Sequence, residues 1–146
     1  MDIEDLKARF LGRDFDEKTF VIDANHIVTF ARACGETAPR YTDPSHPDFQ
    51  APPTFASGFT GGRQLPADFP RLGGIGMDAG KAISPELPIR AGVTLTGRSH
   101  LHDIYAKTGR SGRMVFLVSR MEFYDPEGTR VATADTRMVI RERSAE

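Results

Sequence analysis

The chain has 146 residues, one domain's worth and enough to bury a core, and its 39% hydrophobic and 27% charged residues are the balance of an ordinary globular domain. Its net charge of −1 and its dispersed lysines and arginines argue against a nucleic-acid-binding surface, although a scattered basic residue can still meet one small anion. A single cysteine, Cys34, excludes an internal disulfide and a cysteine-rich metal site. Residues 1–15 are charged and lack the apolar core of a signal peptide or anchor, and no window has the apolar length of a membrane span. A cytoplasmic protein with no membrane partner is therefore expected.

No internal repeat, low-complexity tract or linker interrupts the chain, so residues 1–146 are read as one domain. Residues 3–11 predict a short amphipathic helix with Leu6, Phe10 and Leu11 on one side. Residues 18–22 (KTFVI) read as a strand. Asp23 follows as a side-chain cap for a helix over 24–34, with Ile27, Phe30, Ala31 and Cys34 as its buried stripe and Gly35 as its stop. Residues 36–53 hold five prolines and exclude a regular helix or a central strand. Over 54–76 the pattern is mixed. Phe55, Phe59, Leu65 and Phe69 are candidates for the core, but Gly58, Gly61 and Gly62 weaken any helix, and Pro66 and Pro70 limit its length.

The second half is rich in strand signals. Residues 93–105 alternate in part, with a break before Leu101, and residues 107–112 (KTGRSG) form a hairpin-like turn. Residues 114–118 (MVFLV) are a continuous apolar run expected at the centre of a sheet. Residues 125–128 (DPEG) signal a turn, and residues 131–140 read as the closing strand. At least three antiparallel strands with this much apolar surface need a cover on one face, and a helix wrapped by the sheet supplies it. The expected class is α+β. Gly74, Gly76 and Gly80 superficially suggest a phosphate loop, but no Lys-Ser/Thr ending follows, and they are read as turn glycines.

The segment over residues 30–55, FARACGETAPRYTDPSHPDFQAPPTF, runs from the end of the early helix into the proline-rich loop. Together with PIRAG at 88–92, DIY at 103–105, the GRSG turn and Gly128, it resembles the MaoC-like hydratase and dehydratase superfamily. More closely, it resembles the N-terminal, fatty-acid-synthase-like dehydratase half of the two-part members. The resemblance spans nearly the whole chain and implies a single hot-dog fold. The implied chemistry is addition of water across a trans-2-enoyl thioester, or the reverse dehydration. A carboxylate activates the water, a second group moves a proton, and a backbone N–H polarises the thioester carbonyl.

The family's active loop reads Asp, any residue, Asn-Pro, any residue, His. On that pattern Glu36 stands where the Asp does, Ala38 replaces the Asn, Pro39 matches, Tyr41 replaces the His, and Asp43 matches an acidic position beyond. The resemblance thus makes Glu36 and Tyr41 the candidate catalytic residues, and Asp43, Pro53, Thr54 and Phe55 the candidate substrate contacts. A phenol titrates near pH ~10 and is a poor base at neutrality. The family's His-Gly step is also missing. The chain therefore looks like a substrate-shaping half that works as a homodimer or as a heterodimer with a catalytic MaoC-like subunit. Its substrate would be an acyl-CoA or acyl-ACP thioester bound under residues 54–69, with coenzyme A entering as part of the substrate and not as a cofactor. A non-catalytic acyl-thioester-binding module and a hot-dog thioesterase are the alternatives.

The remaining polar residues carry blander expectations. His100 and His102 lie two apart on a strand with no evident third ligand, so no metal is expected. His46 is the histidine nearest the loop, and His26 sits beside the apolar stripe of the early helix. Arg63, Arg71, Lys81 and Arg90 have the right charge for coenzyme A phosphates but read as solvated surface cations.

Overall fold

The computed structural model describes residues 2–142. Asp2 caps the first helix, α1 (Ile3–Phe10), its carboxylate accepting from the Glu4 N–H. Leu6 and Phe10 are its buried residues, and they lie against Leu101 and Ile104 in one of two apolar clusters. Leu11 falls outside the helix and is exposed, contrary to expectation, because the chain has already turned out to bridge Leu101. Strand β1 (Asp14–Val21) follows, then α2 (Ala24–Ala33), capped by the Asp23 carboxylate on the Asn25 N–H at 2.7 Å.

α2 ends in a Schellman turn. Gly35 has φ +78°, its N–H donates to Arg32 O, and the Glu36 N–H donates to Ala31 O. Cys34 is the C-cap of this turn and is exposed, so the buried stripe contracts to Ile27 and Ala31, with Phe30 half-buried. The proline-rich loop contains one helical turn, α3 (Pro39–Thr42), which begins on a proline whose missing N–H costs nothing there.

The sheet is completed by β2 (Ile75–Pro85), β3 (Thr94–Gly109), β4 (Gly112–Tyr124) and β5 (Arg130–Arg141). All pairings are antiparallel, in the order β1-β3-β4-β5-β2. The apolar run at 114–118 lies in β4, the middle strand, as expected. The break before Leu101 is a register shift between Leu101 and Asp103. Of the three glycines read as turn residues, Gly76 and Gly80 prove to belong to an edge strand, which corrects the sequence reading, while Gly74 lies in the bend just before it. β2 shows no alternation because it is largely exposed and is bulged between Asp78 and Lys81, where Gly80 takes φ +104°.

One face of this sheet holds both clusters. Phe20, Leu95, Met121, Phe123 and Ala132 pack with Ile27, Phe55 and Ala56, while Leu101, Ile104, Val115, Leu117 and Ile140 pack with α1. The helical element in the sheet's grasp is short. It is a single 3-10 turn, Phe55–Gly58, backed by α2, as the three glycines of this region predict. Phe55 is 1% exposed and sits among the rings of His26, Phe30 and Phe59, with centroids 4.8 to 5.4 Å away. This is the hot-dog fold expected from the sequence.

Gly97 of β3 is where the first cluster is tightest. A Cβ there would stand 2.6 Å from the Met121 sulfur and 2.9 Å from Cε2 of Phe20. Gly97→Ala is therefore expected to destabilise the domain by about 1–3 kcal/mol through overpacking, measured as a lowered midpoint of chemical denaturation with an unchanged slope.

Candidate functional site

The loop after α2 places Glu36 and Tyr41 on either side of the start of α3. Both are half-buried. The Glu36 backbone is fixed by the Schellman turn, and its carboxylate has no hydrogen-bond or ion-pair partner among the described residues. The Tyr41 N–H donates to Ala38 O at 3.0 Å, and the Thr42 hydroxyl donates to the same carbonyl at 3.2 Å. Asp43 is exposed and its carboxylate accepts from the Ser45 N–H and hydroxyl, bonds that hold it below the usual carboxylate range. His46 lies next in the loop, with Nδ1 accepting from the Asp48 N–H.

The loop is pinned by a residue the sequence reading did not single out. Asp48 accepts from Arg90 and from the Gln50 amide, both at 3.0 Å, and Arg40 stands 3.9 Å away. The second Arg90 nitrogen donates to Phe49 O. Arg90 is thereby an internal clamp 42 residues away in the chain, a pairing with no local signal in the sequence. The bond from Arg90 is the largest of the influences that depress the Asp48 carboxyl.

Pro53 and Thr54 are exposed, and Thr54 begins the 3-10 turn without a side-chain cap. The Phe55 N–H donates to Pro52 O and the Ser57 N–H to Thr54 O. These two donors of the turn are committed to the backbone. The Phe55 side chain is a core residue.

A cavity of about 420 Å³ opens elsewhere, between residues 57–64 and the sheet. Its apolar lining includes Phe15, Phe59, Met77, Met121 and Met138, and charged side chains, among them Lys81, Arg120 and Arg137, line it as well. None of Glu36, Tyr41, Asp43, Pro53, Thr54 or Phe55 lines it. The sequence holds a partial signal for this site: Phe59 was a core candidate and the region 54–69 an expected acyl site. The methionines gave none, because only strand register brings β2, β4 and β5 to one wall. Among the described residues no group of three potential metal ligands exists, and no helix is long and apolar enough to cross a membrane. His100 and His102 face each other with ring centroids 5.6 Å apart.

Residues 9–134 match the family profile of the FAS1-like dehydratase domain region. The chain belongs to this family. A UPF0336 protein of Streptomyces coelicolor is 31% identical to the dehydratase-like chain, over 93% of this chain and 95% of its own length. The fold is shared with a MaoC-like dehydratase from Rhodospirillum rubrum (TM-score 0.63, 18% identity, covering 96% of this chain and 98% of that one). It is also shared with the HadBC 3R-hydroxyacyl-ACP dehydratase complex of Mycobacterium tuberculosis (TM-score 0.63, 17% identity, covering 95% and 98%). This dehydratase-like domain is thus MaoC-like in fold.

The Asp43 and Asp48 carboxyls are both depressed in the folded chain. Their contribution to loop anchoring is therefore complete above the unfolded carboxylate value, near pH ~4, and is lost as pH falls below it through the folded values. Amide exchange in the loop, followed from pH 6 down to about pH 3, should show this loosening. Asp48→Asn should loosen the loop already at pH 6 and remove the part of the pH dependence that comes from Asp48.

Proposed function

We propose that this chain is the substrate-shaping subunit of an acyl-thioester hydratase or dehydratase. It binds the acyl chain in the cavity under residues 57–64, and a second hot-dog subunit supplies the Asp and His. The observation that carries this reading is the cavity itself. Its volume of about 420 Å³ lies in the range of small-ligand sites, and most of its wall surface is apolar, supplied by Phe15, Phe59, Met77, Met121 and Met138 beside polar side chains that include Arg120 and Arg137; an acyl chain requires such apolar surface.

Two further features support the reading. The Glu36 carboxylate has no hydrogen-bond or ion-pair partner among the described residues, and five residues further along the loop the family's pattern meets a phenol, Tyr41, in place of an imidazole, so the loop lacks the proton-transferring histidine. Strand β2 is an unpaired edge that exposes Ile75 and Met77, and such an edge favours pairing with another strand. A two-chain assembly of the HadBC kind, itself a 3R-hydroxyacyl-ACP dehydratase complex, is the arrangement this edge fits.

The test is hydration of trans-2-enoyl-coenzyme A, followed by loss of the conjugated enoyl absorbance. The chain alone should not turn over. With a hot-dog subunit that carries both Asp and His, turnover should appear, with a chain-length preference that changes when this chain is exchanged for another substrate-shaping half. Turnover by the chain alone that disappears in Glu36→Gln would overturn the assignment and make the chain a self-sufficient enzyme.

A further inference from the structure

Residues 59–64 (FTGGRQ) roof the cavity without regular secondary structure, so their backbone groups need partners from elsewhere. The sheet provides them. Lys18 Nζ donates to Thr60 O at 3.3 Å, Lys81 Nζ to Ser57 O at 3.1 Å, and the Ser119 hydroxyl to Gln64 O. Asp16 makes two bonds to this segment: its Oδ2 accepts from the Gly62 N–H at 2.8 Å and the Arg63 N–H at 3.3 Å. No ion pair competes for this carboxylate among the described residues. The bonds are charge-assisted and stronger than neutral ones.

The geometry at Gly61 shows how closely the roof is drawn down. A Cβ there would lie 2.5 Å from Asp16 Oδ2 and 3.2 Å from Cε of Met121, a residue of the cavity lining. A side chain at this position would have to push aside the Asp16 carboxylate or the end of Met121. Asp16 owes its place to the register irregularity between Asp14 and Asp16, and Phe15 between them lines the cavity. The β1 irregularity thus supplies both a wall and the anchor of the roof.

We propose that Asp16 is a positioning residue that fixes the height of this roof and thereby sets the length of acyl chain the cavity accepts. The inference rests on the cavity being an acyl site. It concerns a residue 46 positions from the glycine it holds, outside the loop of Glu36 and Tyr41.

The test compares wild type, Asp16→Ala and Asp16→Asn in two measurements. The first is amide exchange at Gly62 and Arg63. The second is binding of non-hydrolysable alkyl-coenzyme A thioethers with four and sixteen carbons. Asp16→Ala should speed exchange at both amides roughly tenfold while leaving α2 and β4 unchanged, and should shift the affinity ratio toward the sixteen-carbon thioether by roughly fivefold. Asp16→Asn keeps an acceptor but loses the charge, and should fall between wild type and Asp16→Ala in both. Unchanged exchange in Asp16→Ala overturns the tether. Faster exchange with an unchanged affinity ratio leaves Asp16 a purely structural residue and overturns its role in selection. If the wild type binds neither thioether, the acyl-site reading fails and length selection fails with it; the exchange result then shows whether the tether itself exists.

Discussion

The structure turns on one backbone problem. The segment after Phe55 must cross the sheet, yet Gly58, Gly61 and Gly62 deprive it of helix propensity, and Pro66 and Pro70 bound it on the far side. A helix satisfies its own N–H and C=O groups and packs as a solid cylinder. This segment makes a single 3-10 turn and then hands its polar groups to Asp16, Lys18, Lys81 and Ser119 on three strands. Because those partners stand at the ends of side chains, the segment is held off the sheet. The space left beneath it is the cavity.

The two clusters flank that space. On one side Phe20, Phe55, Phe59 and Phe123 form a chain of ring contacts that ties the 3-10 turn to the sheet, and His26 and Phe30 of α2 join it at Phe55. On the other, Phe10 packs against Phe69 at 4.9 Å and links α1 to the segment that follows the roof. Aromatic pairs of this kind contribute about 0.5–1.5 kcal/mol each beyond their burial. The roof is thus firmly seated at both ends and polar-tethered between them, a division of labour that suits a wall defining a binding volume. The loop of Glu36 and Tyr41 is anchored separately, through Asp48 and Arg90, so this loop and the roof can be altered independently.

Much of the fold was legible because the responsible signals are local. Asp23 and Gly35 bracket α2, the MVFLV run sits in the middle strand, and the DPEG turn closes β4 onto β5. What escaped is non-local. β2 is an exposed, bulged edge strand whose glycines mimic a turn, so neither alternation nor composition reveals it. Cys34 matched the helical stripe by spacing, but its residue lies one step past the helix, where the chain turns outward. In the site, the sequence led to the loop through its resemblance and to the region of the roof through its phenylalanines. It gave no sign of Asp16 or Asp48, whose roles depend on partners more than forty residues away.

The central claim is that the acyl chain lies between the 57–64 roof and the sheet. The most direct test is photolabelling with an acyl-coenzyme A that carries a diazirine near the end of its alkyl chain, followed by mass-spectrometric mapping of the modified peptides. The account predicts labels on Phe59, Met121 and Met138, abolished by excess unlabelled acyl-coenzyme A. Competable labels confined to the 36–53 loop, or no competable label on the cavity wall, would contradict it.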